Sequence, residues 1–62
     1  MIITIHEGYD NNYVILTSKD EHFQNMYGSK QNINTKLIYS ELENISSWCN
    51  NVVGEECLFE ID

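Results

Sequence analysis

The sequence predicts a small α+β domain with a three- or four-stranded, mainly antiparallel sheet and one long helix packed on a face. Three observations lead to this fold class. β-branched runs alternate with turn formers near the N-terminus, residues 41–53 place apolar side chains at helical spacing, and residues 56–62 alternate apolar with acidic side chains. The chain has 62 residues, no proline and no linker-like stretch, so we expect residues 1–62 to form a single domain with a small core.

The N-terminal part of the chain has the pattern of a β-hairpin. Met1–Glu7 and Tyr13–Thr17 are rich in isoleucine, valine and threonine, which favour strands. The intervening segment Gly8–Asn12 consists mostly of glycine, aspartate and asparagine, which accept the backbone geometry of tight turns. Two strand-like runs joined by a short turn segment predict an antiparallel pair.

A short helix is predicted next, over Lys19–Tyr27. Ser18 is followed three residues later by Glu21, as in a capping box, and Gly28 supplies a stop signal. The alternative for the same segment is a strand over His22–Tyr27. The apolar residues that would share one face of the helix are Phe23, Met26 and Tyr27.

The second half of the chain predicts a third strand, a long helix and a fourth strand. The third strand begins at Asn34 or Thr35 and ends at Tyr39. The helix covers Glu41–Val53, and the last strand covers Glu56–Asp62. The apolar stripe of the long helix consists of Leu42, Ile45, Cys49, Val52 and Val53, with Trp48 beside it.

The last strand alternates in a way that predicts one buried and one exposed face. Cys57, Phe59 and Ile61 would point inward, and the acidic residues Glu56, Glu60 and Asp62 would point outward. The strand face that carries Ile2 and Val14 is also apolar and would need a second cover. Small domains often obtain such a cover by oligomerising, and a homodimer would supply it here.

The charge balance excludes two classes of function. Ten acidic residues stand against three lysines and no arginine, which gives a net charge of −7. Proteins that bind nucleic acid directly, or that dock on anionic membranes, are basic. The apolar fraction of 42% is too high for a disordered acidic tail. The sequence has neither a basic leader nor a run of roughly 20 apolar residues, which predicts a cytoplasmic protein.

Residues able to bind a metal or to carry catalysis are few and poorly spaced. His6, His22, Cys49 and Cys57 lack the short ligand spacing of structural zinc sites. Cys49 falls on the apolar stripe, where a thiol is unreactive, and His6 and Glu7 would point to opposite faces of a strand. The isolated glycines form no phosphate-binding loop. We therefore expect no enzymatic activity, no metal and no cofactor. The favoured interpretation of the two cysteines is a pair of reduced core residues, and the alternative is a disulfide between them across a turn at Gly54.

Acidic residues are concentrated at the end of the chain. Residues 1–40 carry four acids and three lysines, whereas residues 41–62 carry six acids and no base. One interpretation is a solvated face that confers solubility and deters strand pairing. The other is a contact surface for a basic protein of the kind that handles nucleic acid. The predicted contact residues are these six acids and one tyrosine anchor: Glu41, Glu43, Glu55, Glu56, Glu60, Asp62 and Tyr9.

In size, acidity, asparagine content and lack of proline, the chain resembles the small accessory proteins of bacteriophages and mobile elements. Many of those proteins bind and block a host enzyme or defence factor, so the resemblance implies an inhibitor that acts in the host cytoplasm. Together with the acidic surface, it predicts a non-enzymatic protein that inhibits a basic host protein by mimicking nucleic acid. The alternative is a structural or regulatory homo-oligomer whose acidic face only confers solubility.

Overall fold

The computed structural model describes residues 1–8 and 10–62. In chain order the elements are β1 (Ile2–Glu7), β2 (Tyr13–Thr17), α1 (Glu21–Tyr27), β3 (Gln31–Asn34), α2 (Ile38–Trp48) and β4 (Leu58–Ile61). A 3-10 turn over Thr35–Leu37 precedes α2, and a π-helical turn over Cys49–Val53 extends it. No helix in this described part is long and apolar enough to cross a bilayer.

The four strands form one sheet in the order β3-β2-β1-β4. Strand β2 pairs antiparallel with both β1 and β3, whereas β4 lies parallel to β1. The predicted α+β fold with a mainly antiparallel sheet and one long helix is therefore confirmed, as is the N-terminal hairpin. The parallel pairing of β4 makes β1 an inner strand and leaves β3 and β4 at the two edges.

The core lies between one face of the sheet and the two helices. Strand pairing places Ile5 beside Leu16 and Val14 beside Ile33 on this side. The buried side chains are Ile3, Leu16, Phe23, Ile33, Ile45 and Cys49. Because both helices contribute to this single core, the opposite side of the sheet has no covering layer among the described residues. We call that side the bare face.

Helix α1 forms within the predicted range of Lys19–Tyr27 but begins two residues later, at Glu21, and the alternative strand over His22–Tyr27 does not form. The helix is capped by Asp20 instead of Ser18, since the Asp20 carboxylate accepts a hydrogen bond from the His22 backbone N–H at 2.9 Å. The Ser18 hydroxyl donates to the Ile2 carbonyl at 2.6 Å. The serine therefore ties the connection before α1 to the first strand.

The predicted third strand, which was to end at Tyr39, is wrong. Strand β3 lies earlier in the chain, where Ile33 is its single buried residue. The Asn34 side chain accepts a hydrogen bond from the Lys36 N–H at 2.9 Å, and this bond starts the 3-10 turn. The apolar run that suggested a strand belongs to the turn and to the start of α2, with Leu37 and Tyr39 both exposed.

The long helix also differs from its predicted range of Glu41–Val53. It begins one turn earlier, and its last residues form the π-helical turn. The backbone N–H groups of Gly54 and Glu55 both bond to the Cys49 carbonyl, which closes this wider turn. The wider turn shifts the helical phase, and Val52 is exposed although the sequence predicted it on the apolar stripe.

Two predictions about strand faces need correction. Ile2 is 52% exposed on the bare face, as expected, but Val14 packs against the core on the helix side. Phe59 of β4, and Cys57 just before that strand, pack against the core as predicted. Ile61 instead is 86% exposed, because it lies at the end of an edge strand beyond the cover of the helices.

Candidate binding surface

Four exposed carboxylates surround the edge strand β4. Glu55 and Glu56 precede the strand, Glu60 lies within it and Asp62 follows it. Glu60 is aligned with Thr4 of β1, and Asp62 continues the same alternation, so both side chains project from the bare face about 7 Å apart. We call these four residues the acidic edge.

The other predicted contact residues lie elsewhere. Glu41 borders a depression formed largely by β3, and Glu43 is exposed further along α2. Because β3 and β4 are opposite edges of the sheet, three strand spacings of about 4.8 Å separate the Glu41 region from the acidic edge. The structure therefore divides the predicted six-carboxylate surface into two. Tyr9, the predicted anchor, falls outside the described residues.

Two members of the acidic edge have a basic group nearby. The Oδ2 atom of Asp62 lies 2.8 Å from Nδ1 of His6, and the Glu55 carboxylate lies 3.9 Å from the N-terminal amine. Glu56 and Glu60 take part in no ion pair formed by the described residues. These two carboxylates are consequently the ones whose charge is most available to a partner.

A hydrogen-bonded chain of side chains crosses the bare face from β2 to β4. Nε2 of His6 lies 2.8 Å from Oγ1 of Thr17, and Nδ1 of the same ring lies 2.8 Å from Asp62. Hydroxyl, imidazole and carboxylate follow one another here as in a catalytic relay. Acyl transfer also needs N–H donors aimed at the oxyanion, whereas the N–H groups of paired strands lie in the plane of the sheet. The geometry therefore suits a structural role, in which the hydrogen-bonded side chains of Thr17, His6 and Asp62 hold the ends of β2, β1 and β4 together. We call these three residues the clasp.

This clasp could not be found from the sequence. Along the chain, the acidic residue next to His6 is Glu7, whose side chain points to the other face of the strand. The true partner, Asp62, is brought to His6 by the parallel pairing of β4 with β1. The only local signal was the alternation along β1, which places Thr4 and His6 on one side.

Apolar side chains lie beside the acidic edge on the bare face. Ile2 and Leu58 are aligned neighbours on β1 and β4, and they are 52% and 54% exposed. A shallow depression of about 890 Å³ opens next to them. It is lined by Met1, Ile2, Thr4, Thr17, Ser18, Lys19, Asp20 and Glu60. Exposed apolar area bordered by charge is typical of surfaces that bind other proteins.

The acidic edge and its surroundings offer hydrogen-bond acceptors and apolar contact, which suits the lysine and arginine side chains of a protein. Within residues 1–8 and 10–62, no three histidine, cysteine, aspartate or glutamate side chains converge.

Comparison of the chain with known protein families, with curated proteins and with solved structures found no match.

Proposed function

We propose that this chain is a non-enzymatic binding protein that inhibits a basic, nucleic-acid-handling host protein, in the manner of a phage or mobile-element accessory protein. The contact surface is the acidic edge together with the neighbouring apolar part of the bare face. The observation that carries this proposal is the position of Glu56 and Glu60 beside Ile2 and Leu58, because these two exposed carboxylates form no ion pair with any residue that the structure describes. The proposed site of action is the host cytoplasm.

The two components of this surface have different roles in binding. Burying Ile2 and Leu58 against a partner would contribute affinity, because apolar area removed from water stabilises a complex by about 25 cal/mol per Å². The carboxylates would speed association with a positively charged groove and fix the orientation of the complex. A groove occupied in this way is closed to nucleic acid, which is how mimicry would inhibit the host protein.

The charge of the edge strand also bears on what the partner is. In a parallel pair, alternate residues of β4 bond to β1, so the intervening backbone groups of the edge strand point outward. Two copies of this strand would bring the acidic edges of both chains together and repel each other. A basic partner meets no such repulsion, which favours a complex with a different protein over pairing of two copies of this chain through β4.

Reversing the charge of Glu56 and Glu60 to lysine should weaken partner binding at least about a hundredfold, since like charges across an interface cost several kcal/mol. The matched control is the Glu41→Lys, Glu43→Lys double variant, which has the same net charge but alters the other acidic surface. Both variants and the unmodified protein would be tagged and used to capture proteins from bacterial lysate, with affinities then measured on the captured protein.

The capture is repeated with competing duplex DNA and at raised salt. We expect both to displace the partner from the unmodified protein and from the Glu41→Lys, Glu43→Lys variant. Equal affinity of the two double variants, or a partner retained at all salt and DNA concentrations, would contradict docking through the acidic edge.

The second candidate function is a homo-oligomer that buries the bare face. The observation in its favour is the uncovered apolar area of that face, where Ile2, Leu58 and Tyr13 are each about half exposed. In that case sedimentation should show a dimer at micromolar concentration that resists salt and is dissociated by Ile2→Asp. A monomer under those conditions would exclude this function.

A further inference from the structure

Three sulfur-containing side chains lie near one another where the end of α2 approaches β1 and β4. Sγ of Cys49 lies 3.6 Å from Sδ of Met1. The register that aligns Ile2 with Leu58 places Cys57 beside Met1, and the Cys57 thiol is near enough to that of Cys49 for the interaction to raise the pKa of Cys57. All three residues belong to or pack against the core. Both cysteines are free thiols. We call Met1, Cys49 and Cys57 the sulfur cluster.

The backbone holds each member of the sulfur cluster in place. The amine of Met1 donates to the Glu56 carbonyl at 2.8 Å, and the Met1 carbonyl accepts from the Leu58 N–H at 2.8 Å. Met1 is therefore fixed directly beside Cys57, the residue between those two partners. On the helix side, the π-helical turn fixes Cys49 through two hydrogen bonds to its carbonyl. Such turns occur often at functional sites.

The Cys57 thiol of the sulfur cluster is a poor nucleophile. Burial raises the pKa of Cys57 to about 12, and the contact with Cys49 acts in the same direction, while the N-terminal amine opposes both. A thiol with that pKa is protonated at neutral pH, so covalent catalysis is not its role. Two thiols and a thioether nevertheless remain soft donors, and soft sulfur ligands select copper(I).

We propose that Met1, Cys49 and Cys57 form a three-coordinate binding site for a soft monovalent metal ion, copper(I). With metal–sulfur distances of about 2.3 Å, the sulfur atoms of a trigonal site lie about 4 Å apart. Sγ of Cys49 and Sδ of Met1 are 3.6 Å apart, so these two sulfur atoms need to separate by only a few tenths of an ångström more to hold the ion. Zinc would require four ligands in a tetrahedron, and a thioether is a poor ligand for it.

Binding is balanced in protons and charge. Each thiol loses its proton to solvent and donates an electron pair of its sulfur to the ion, so one copper(I) ion displaces two protons. Two thiolates and one monovalent cation leave one negative charge, and the N-terminal amine, which also lies 3.9 Å from the Glu55 carboxylate, is a positive group near Cys57. Cys57 is only partly buried, which gives the ion a path, whereas Cys49 is fully buried.

The site is tested on the intact protein by anaerobic titration with copper(I), and with silver(I) as a redox-inert substitute. We expect one equivalent to bind with the release of two protons. The chain contains a matched internal control, because its other methionine, Met26, is exposed on α1. In protein labelled at the methionine methyl groups, silver(I) should shift the NMR signal of Met1 and leave that of Met26 in place.

The Cys57→Ser variant should bind copper(I) at least about a hundredfold more weakly in competition with a chelator. Serine fits this partly exposed position, and circular dichroism will verify that the variant is folded. If the variant is unfolded, the test is the shift of the Met1 methyl signal when silver(I) is added to the unmodified protein. Absence of stoichiometric binding, unchanged affinity of Cys57→Ser, or a Met1 signal that does not move would overturn the proposal. The Glu56→Lys, Glu60→Lys variant keeps all three sulfurs, so this result is independent of the proposed function.

Discussion

Phe23→Ala is expected to leave much of the protein unfolded at 25 °C. Phe23 is the largest fully buried side chain, and truncating a buried phenylalanine costs about 3–5 kcal/mol. A single core in a chain of this length rarely supplies more than about 3–5 kcal/mol in total. The substitution also removes one end of an aromatic series, since the Phe23 ring lies 5.0 Å from that of Tyr27, which in turn lies 5.3 Å from Trp48.

Urea unfolding followed by tryptophan fluorescence would measure this loss, because Trp48 belongs to the same aromatic series. The matched control is Met26→Ala. Met26 lies three residues further along α1 and is 58% exposed, so we expect its truncation to change the free energy of unfolding by no more than about 0.5 kcal/mol. A loss below about 1 kcal/mol for Phe23→Ala would mean that α1 does not complete the core.

The second large effect is expected at Gly8→Ala, at the end of β1. A Cβ atom built on Gly8 would lie 2.4 Å from the Tyr13 carbonyl oxygen, a backbone atom that cannot move out of the way cheaply. The same oxygen accepts the Gly8 N–H at 3.0 Å, so separating the two strands also breaks a hydrogen bond that closes the hairpin. We expect a loss of about 2–3 kcal/mol, in the range of overpacking substitutions.

The same urea experiment measures this loss in the free energy of unfolding. Ser29→Ala, in the exposed connection between α1 and β3, provides a comparison that adds no contact and should change the free energy by less than about 0.5 kcal/mol. Equal stability of Gly8→Ala and Ser29→Ala would show that the hairpin tolerates a wider separation at this point.

The elements that the sequence predicted well are those specified by nearby residues. The hairpin has its turn formers between two β-branched runs, and α1 and α2 have apolar residues at helical spacing. The third strand failed because Leu37, Ile38 and Tyr39 resemble a strand when read alone, whereas the Asn34 cap turns the chain into a helix. Polar β3 is a strand because Ile33 completes the core across from Val14, a tertiary requirement with little local trace.

For the candidate surfaces, too, the sequence predicts features of composition and spacing but does not predict contacts that depend on the tertiary fold. The concentration of acids at the end of the chain is a property of composition, and the sequence alone shows it. Composition does not show that Glu41 lies near the opposite edge, nor that Asp62 meets His6. Likewise, helical spacing predicted a buried Cys49, but its contact with the Met1 sulfur depends on the parallel register of β1 and β4.

From the pairing of β4 with β1 we also expect a particular order of folding steps. Ile2 and Leu58 are separated by nearly the whole sequence, and closing a loop of that length costs about 3–4 kcal/mol of chain entropy. The hairpin and α2 involve short closures and can form early, so the docking of β4 is the late step. Until it occurs, β1 is a sheet edge with unpaired backbone groups, and the unfinished chain is exposed to association with other strands.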